Sequence, residues 1–131
     1  MTQLRVSEAA ALLGVSDDTV RRMVDTGRLP SGKDDAGRLV VDGADLATVA
    51  QEVAHPAPVG VVADESARNR MRGIVTRVLK DTVMAQVELQ CGPFRVVSLM
   101  SREAVDDLGL EVGSVAVATI KSTNVIVGVP R

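Results

Sequence analysis

"VAHPAPVGVVADES", residues Val53 to Ser66, separates two hydrophobic patterns of different period. Pro56 and Pro58 lack a backbone N–H and restrict the residues before them, so no helix continues through this stretch. Upstream, apolar residues recur at helical spacing. Downstream, they alternate with period two. A change of period across a Pro-containing connection predicts two small domains joined by a linker. The expected division is 1–53, a linker at 54–64, and 65–131. The fold class expected is α+β, and 46% apolar residues suffice for two small cores. With one Phe and no Trp or Tyr, those cores are built from Val, Leu, Ala and Met.

The formal net charge of -2 argues against a chain that binds nucleic acid by overall basicity. Cys91 is the single cysteine, so no internal disulfide forms and a reducing compartment is expected. The Met1 end carries no apolar signal-like region, and no apolar run approaches the roughly 18 residues of a membrane span. The expectation is a cytoplasmic protein with no membrane partner. No base, nucleophile and orienter can be assembled, so neither an enzyme nor a cofactor is expected, and no protein-coordinated metal cation.

In the first half, "VSEAAALLG" predicts a helix capped by Ser7, with Ala9, Ala10, Leu12 and Leu13 on one face and Gly14 ending it. "VSDDTVRRMVDTG" restarts with Ser16 as cap. Asp17 and Asp18 complement the dipole in its first turn, and Val20, Met23 and Val24 form the buried stripe. Thr19, Arg21 and Arg22 face outward. A turn at Pro30 to Gly32, a hairpin "KDDAGRLVV" with Ala36-Gly37 at its tip and a third helix from about Asp45 follow.

Ala10, Gly14 and Val20 have the spacing of a helix-turn-helix. The order of elements from Leu4 to Val53, and "SEAAALLGVSDDTVRRMVDTGRLP" in particular, resembles the winged helix-turn-helix of the MerR, excisionase and BldC-like DNA-binding proteins. The resemblance implies that the second helix enters the major groove and the wing touches phosphate. It assigns DNA contacts to Ser16, Thr19, Arg21 and Arg22, with Lys33 and Arg38 in the wing. Against this, acidic residues outnumber basic ones from Met1 to Pro58, and Asp34 and Asp35 occupy the wing. One copy should therefore bind DNA weakly, and several copies per assembly would be needed.

The second half begins with "SARNRMRGIV", Ser66 to Val75, where Arg68, Arg70 and Arg72 precede an apolar β-branched run. Strand patterns follow in "MRGIVTRVLK", "TVMAQVELQ", "FRVVSLMS", "SVAVATIK" and "NVIVGV". "REAVDDLGL" reads as a short helix between the third and fourth, with Leu108 and Leu110 directed inward. Five strands and one helix predict a small five-stranded OB-like β-barrel. So small a core favours oligomerisation.

Arginines without His or Cys ligands ask for an anion. "SARNRMRGIVTRV" together with "MSREAVDDLGLEVGSVAVATIKSTNVIVG" resembles the molbindin domain, of Mop or TOBE type, over Glu65 to Gly128. The resemblance implies a ligand, molybdate or tungstate, held between subunits of a dimer, trimer or hexamer. Such a tetrahedral dianion is already saturated with oxo ligands, so a protein holds it with hydroxyls, N–H groups, Arg and Lys. By resemblance the oxyanion-binding residues are Ser66, Ala67, Arg68, Ser101, Lys121, Ser122 and Thr123, contributed by two subunits. Where the family often has a second hydroxyl three residues after the first, this chain has Ala104. Arg70, Arg72 and Arg77 read instead as solvated or ion-paired charges. The function expected is a molybdate- or tungstate-responsive transcriptional regulator. The alternative is a molybdate storage or buffer protein whose first domain serves assembly.

Overall fold

The computed structural model describes residues 2–55, 58, 60 and 66–130. The chain separates into two compact units, Met1–His55 and Pro56–Arg131. Expectations for the rest of the linker stretch, 56, 57, 59 and 61–65, lie outside the described residues.

In the first unit, β1 (Gln3–Arg5) runs directly into α1 (Val6–Leu13), and α2 (Asp17–Asp25) follows. Then come β2 (Ser31–Lys33), β3 (Leu39–Asp42) and α3 (Gly43–Val53). The strands form an antiparallel sheet in the order β1-β3-β2. α1 starts earlier than the sequence suggested. Arg5, not Ser7, is its N-cap, and the Arg5 N–H donates to Glu8 Oε1 at 3.2 Å. With β1 ending at Arg5, Ser7 already lies inside the first turn.

The buried stripe of α1 is Val6, Ala9, Ala10 and partly Leu13, at i, i+3, i+4 and i+7. Leu12 falls off that stripe and is 68% exposed, against expectation. Gly14 closes α1 at φ 70°, in the left-handed region that glycine enters at least cost. Ser16 caps α2 as expected, accepting the Thr19 N–H at 3.2 Å. Val20 and Met23 pack with Ala9, Ala10, Leu29 and Val41 in one cluster, which fixes α2 against α1. Of the expected turn at 30–32, Ser31 and Gly32 instead open β2. α3 begins at Gly43, before Asp45, because Asp42 caps it by accepting the Ala44 N–H at 3.4 Å.

The second unit contains β4 (Asn69–Lys80), β5 (Met84–Cys91), β6 (Phe94–Ser101), α4 (Arg102–Leu108) and β7 (Val115–Ile120). It ends in a single 3-10 turn at Ser122–Asn124. Its strands form a curled antiparallel sheet, OB-like, in the order β6-β5-β4-β7. The curl comes from β4, which pairs with β7 through Asn69–Ile74 and with β5 from Ile74 to Lys80, with an irregularity between Val75 and Arg77. At Gly73 the strands press together. A Cβ there would lie 2.5 Å from Cys91 Sγ and 2.6 Å from the Gln90 carbonyl oxygen, so only glycine lets β4 make this passage. Val75, Ala85, Val87, Leu89, Cys91 and Val105 form the core.

Two expectations fail here. Val105, not Leu108, is the buried residue of α4. Leu108 ends this short helix and is 67% exposed, while Leu110 packs on the core beyond the turn at Gly109. Among the described residues the sheet has four paired strands, where five were expected. The chain leaves the sheet after the 3-10 turn, and residues 125–130 form no strand. Their β-type pattern is real, but they have no strand partner among the described residues.

Candidate functional site

The register Asn69↔Ile120 brings the residues just before β4 and just after β7 to the same end of the sheet. Ser66 and Arg68 are exposed there and Ala67 is buried. Asn69 ties the two segments together through Nδ2, which donates to the Ile120 carbonyl at 3.1 Å. Beyond Ile120, Lys121 opens the 3-10 turn with extended backbone, and the Asn124 N–H donates back to the Lys121 carbonyl at 2.9 Å. Ser122 and Thr123 thus occupy the first two positions of that turn. Their backbone N–H groups meet no protein acceptor among the described residues, and their hydroxyls are exposed. Six of the seven sequence-assigned oxyanion residues are therefore grouped at one place.

Ser101 stands apart. It pairs with Met84, at the Lys80 end of β4, whereas Asn69 lies at the other end. A single chain does not bring Ser101 to the other six by strand register. Its Oγ caps α4 by accepting the Ala104 N–H at 3.1 Å, and its hydroxyl proton remains available to donate. The Arg102 N–H is already taken by the Val83 carbonyl at 2.9 Å. Few N–H groups at the start of α4 are left to offer an anion.

A network that the sequence reading missed holds this corner. Asp81 Oδ1 accepts the N–H groups of Met84 at 2.7 Å and Val83 at 2.8 Å. These bonds hold the Asp81 carboxyl below its ordinary pKa. Arg102 Nη1 donates to the Asp81 carbonyl at 3.2 Å, and Lys80 Nζ to Asp106 Oδ1 at 2.9 Å. The hydrogen bond from Lys80 in turn lowers the Asp106 pKa. The start of α4 is thereby pinned to the β4–β5 turn. The Asp after Lys80 was the visible signal, since Asp in a tight turn bonds its own backbone two residues on.

Of the remaining arginines, Arg72 Nη1 donates to the Pro58 carbonyl at 3.1 Å. Arg77 lies across from Glu88, and Arg95 hydrogen-bonds the same carboxylate. The Arg95 bond is the main cause of the lowered Glu88 pKa. Cys91 is buried and His55 exposed.

In the first unit, Arg21 and Arg22 are exposed on α2, and Lys33 is exposed on β2. Ser16 and Thr19 are partly committed to each other, with their hydroxyls 2.9 Å apart at the cap. Arg38 donates through Nε to Asp34 Oδ2 at 2.9 Å. Asp34 Oδ1 accepts the N–H groups of Ala36 and Arg38, both at 2.9 Å. Led by the backbone bond from Arg38, these interactions lower the Asp34 pKa. Asp34 is thus the clasp of the β2–β3 hairpin, and the Arg38 guanidinium is ion-paired with it. Arg28, not singled out from sequence, is an exposed cation 3.6 Å from Glu52. Among the described residues, no group of three His, Cys, Asp or Glu is placed to hold a metal ion, and no helix is long and apolar enough to cross a membrane.

Both halves match family models, the TOBE domain at 65–127 and a helix-turn-helix domain at 4–53. The chain belongs to the TOBE, or molbindin, family and carries a helix-turn-helix domain in front of that module. The second half is 41% identical over 63 residues to "Molybdenum-pterin-binding protein 3" of Clostridium pasteurianum, covering 47% of this chain and 93% of the relative. It is 45% identical over 65 residues to "Probable molybdenum-pterin-binding protein" of Haemophilus influenzae, covering 49% and 94%. Among solved structures, MopII from Clostridium pasteurianum is 34% identical with a TM-score of 0.47, covering 50% of this chain and all of that one.

Proposed function

We propose that the chain is a cytoplasmic molybdate- or tungstate-responsive, DNA-binding transcriptional regulator. The observation that carries this is the union in one chain of two modules. One presents a capped second helix with Arg21 and Arg22 exposed. The other groups Ser66, Arg68, Lys121, Ser122 and Thr123, all hydrogen-bond donors, at one end of a sheet. Donors without metal-type ligands suit a tetrahedral oxyanion rather than a cation, and the relatives' names carry molybdenum. The division into a DNA-reading domain at 1–53, a linker at 54–64 and an oxyanion-binding domain at 65–131 is part of this proposal.

Because Ser101 lies at the far end of β4 from the other donors, a site using all seven draws on two copies, and the chain works as a homo-oligomer. Oxyanion binding between copies then biases the assembly that presents the DNA-reading helices, which couples ligand to DNA affinity. It has no catalytic role and needs no cofactor. The acidic surplus of the first unit and the ion pairing of Arg38 favour a second reading, a molybdate store whose first unit serves assembly only.

Fluorescence anisotropy with labelled genomic fragments, with and without molybdate, separates the two. A regulator gives saturable, competitor-resistant binding to some fragments that shifts with molybdate. Binding of molybdate with no DNA binding at any fragment assigns the chain to storage.

A further inference from the structure

The tip of the β2–β3 hairpin, Lys33 to Arg38, carries two positive and two negative charges. Its backbone closes without help from any side chain. The Asp34 N–H donates to the Arg38 carbonyl and the Gly37 N–H to the Asp34 carbonyl, both at 2.9 Å. Asp34 Oδ1 adds the N–H groups of Ala36 and Arg38. An Asn at this position would accept the same two N–H groups through its side-chain oxygen. The second carboxylate oxygen is therefore surplus to the turn. Oδ2 accepts instead from Arg38 Nε at 2.9 Å, a bond that an Asn amide group in its place cannot accept. The Asp34 side chain is 20% exposed and that of Arg38 51%, so the pair lies at the surface of the wing. Asp35 beside it is exposed and takes no part in the clasp.

We propose that Asp34 is a brake on the wing: its Oδ2 holds the Arg38 guanidinium as an internal stand-in for phosphate, so Arg38 meets DNA only by exchanging one anion for the other. The proposal deepens, and rests on, the DNA-binding reading given above. Carboxylate and phosphate oxygens compete for the same guanidinium donors. An arginine already neutralised within its own chain displaces few counterions from DNA, and it adds little to the sequence-independent part of binding. An exposed ion pair is weak, so the brake yields where the rest of the interface presses a phosphate against Arg38. It holds where the phosphate is misplaced. The pair thereby costs poorly seated complexes more than well seated ones, which is discrimination obtained by weakening the wrong complex.

Fluorescence anisotropy of the full chain with a labelled random-sequence duplex, over a series of salt concentrations, tests this. Asp34→Asn should keep its fold by circular dichroism, because the bonds of Oδ1 remain. It should bind the duplex roughly two- to five-fold more tightly at low salt, the strength of an exposed pair. Its plot of log affinity against log salt should steepen by about one, for one phosphate newly neutralised. Asp35→Asn removes the same charge next door without freeing Arg38, and should gain less with an unchanged slope. Arg38→Ala should leave the slope of the parent unchanged, and should cost more affinity in Asp34→Asn than in the parent. A gain no larger than that of Asp35→Asn, an additive cycle, or a slope reduced by about one in Arg38→Ala alone each overturns the brake. Weaker binding by folded Asp34→Asn overturns it too, since Asp34 would then orient Arg38 toward DNA. A parent that binds no duplex at low salt overturns the DNA-binding reading and the brake with it. A parent that binds but shows an additive cycle overturns the brake alone.

Discussion

Lys121→Ala should weaken molybdate binding far more than Arg77→Ala, and the structure sets the size of the difference. Lys121 is exposed at the mouth of the 3-10 turn and makes no ion pair among the described residues, so removing it costs the fold nothing that would confuse the measurement. What is lost is one charged donor to a dianion, about 1.5–3 kcal/mol for a hydrogen bond to a charged group. That corresponds to roughly a 10- to 150-fold loss of affinity. Arg77 sits mid-strand opposite Glu88, remote from the donor group, and already shares that carboxylate with Arg95. Its removal is a change in an exposed ion-pair network, which should move affinity by less than about 1 kcal/mol. With no Trp or Tyr, intrinsic fluorescence offers little signal. The measurement is therefore calorimetric titration at matched ionic strength, with circular dichroism as the folding control. Equal losses in the two variants would mean that binding is a diffuse attraction to positive charge. A larger loss for Arg77→Ala would move the site elsewhere and refute the grouping of donors at the β4–β7 end.

Arg22→Ala should reduce DNA affinity by about 1–3 kcal/mol while leaving calorimetric molybdate binding unchanged, and undiminished DNA binding by the folded variant would remove α2 from the interface. Gly73→Ala should destabilise the second unit by about 1–3 kcal/mol, because its Cβ meets the backbone oxygen of Gln90 as well as Cys91 Sγ. Cys91→Ala should rescue it only in part, and a neutral effect in thermal denaturation would contradict the close passage of β4. The lowered pKa values of Asp34, Asp81, Glu88 and Asp106 fix a pH dependence. Their folded-state pKa values lie below the unfolded ones. The stability they contribute is therefore fully present above the ordinary carboxylate range and is lost as pH falls through the lowered values. Denaturation midpoints should accordingly fall on acidification below about pH 4, and a rise there would refute the assignment.

The sequence exposes whatever is decided locally. Ser16 before a dipole-friendly first turn, Gly14 in the turn, and apolar residues at 20, 23 and 24 fix α2 and its outward arginines without reference to the rest of the chain. The donors around Lys121 are legible for a similar reason, since polar residues between two β-type runs are naturally placed at a strand end. Other features depend on geometry that no window shows. Arg5 displaces Ser7 as cap because β1 abuts α1. Asp34 counts as an unfavourable charge in a tally of the hairpin, yet it is the acceptor that shapes the turn. The pattern of Val125–Val129 announces a strand, yet these residues join no ladder, so a five-stranded barrel was expected where four strands pair among the described residues.

The acidic balance of the first unit is less of an obstacle to DNA binding than a charge count suggests. Asp17 and Asp18 sit in the first turn of α2, where the helix dipole favours them, Asp42 caps α3, and Asp34 clasps the hairpin. These acids serve folding at fixed positions, while Arg21 and Arg22 stand exposed outside the cap. Their repulsion of phosphate still lowers the affinity of one copy, because the electrostatic term grows with the number of phosphates neutralised. On the proposed function that weakness is useful. A reader that binds well alone is occupied whatever the state of its partner module. A weak one depends on several copies held at the right spacing, and its binding then follows the assembly state steeply. On that proposal the second unit sets the state, through the candidate oxyanion donors grouped where β4 begins and β7 ends. A ligand that favours the assembled form over the separate chains need supply only its own differential binding energy to change occupancy at DNA.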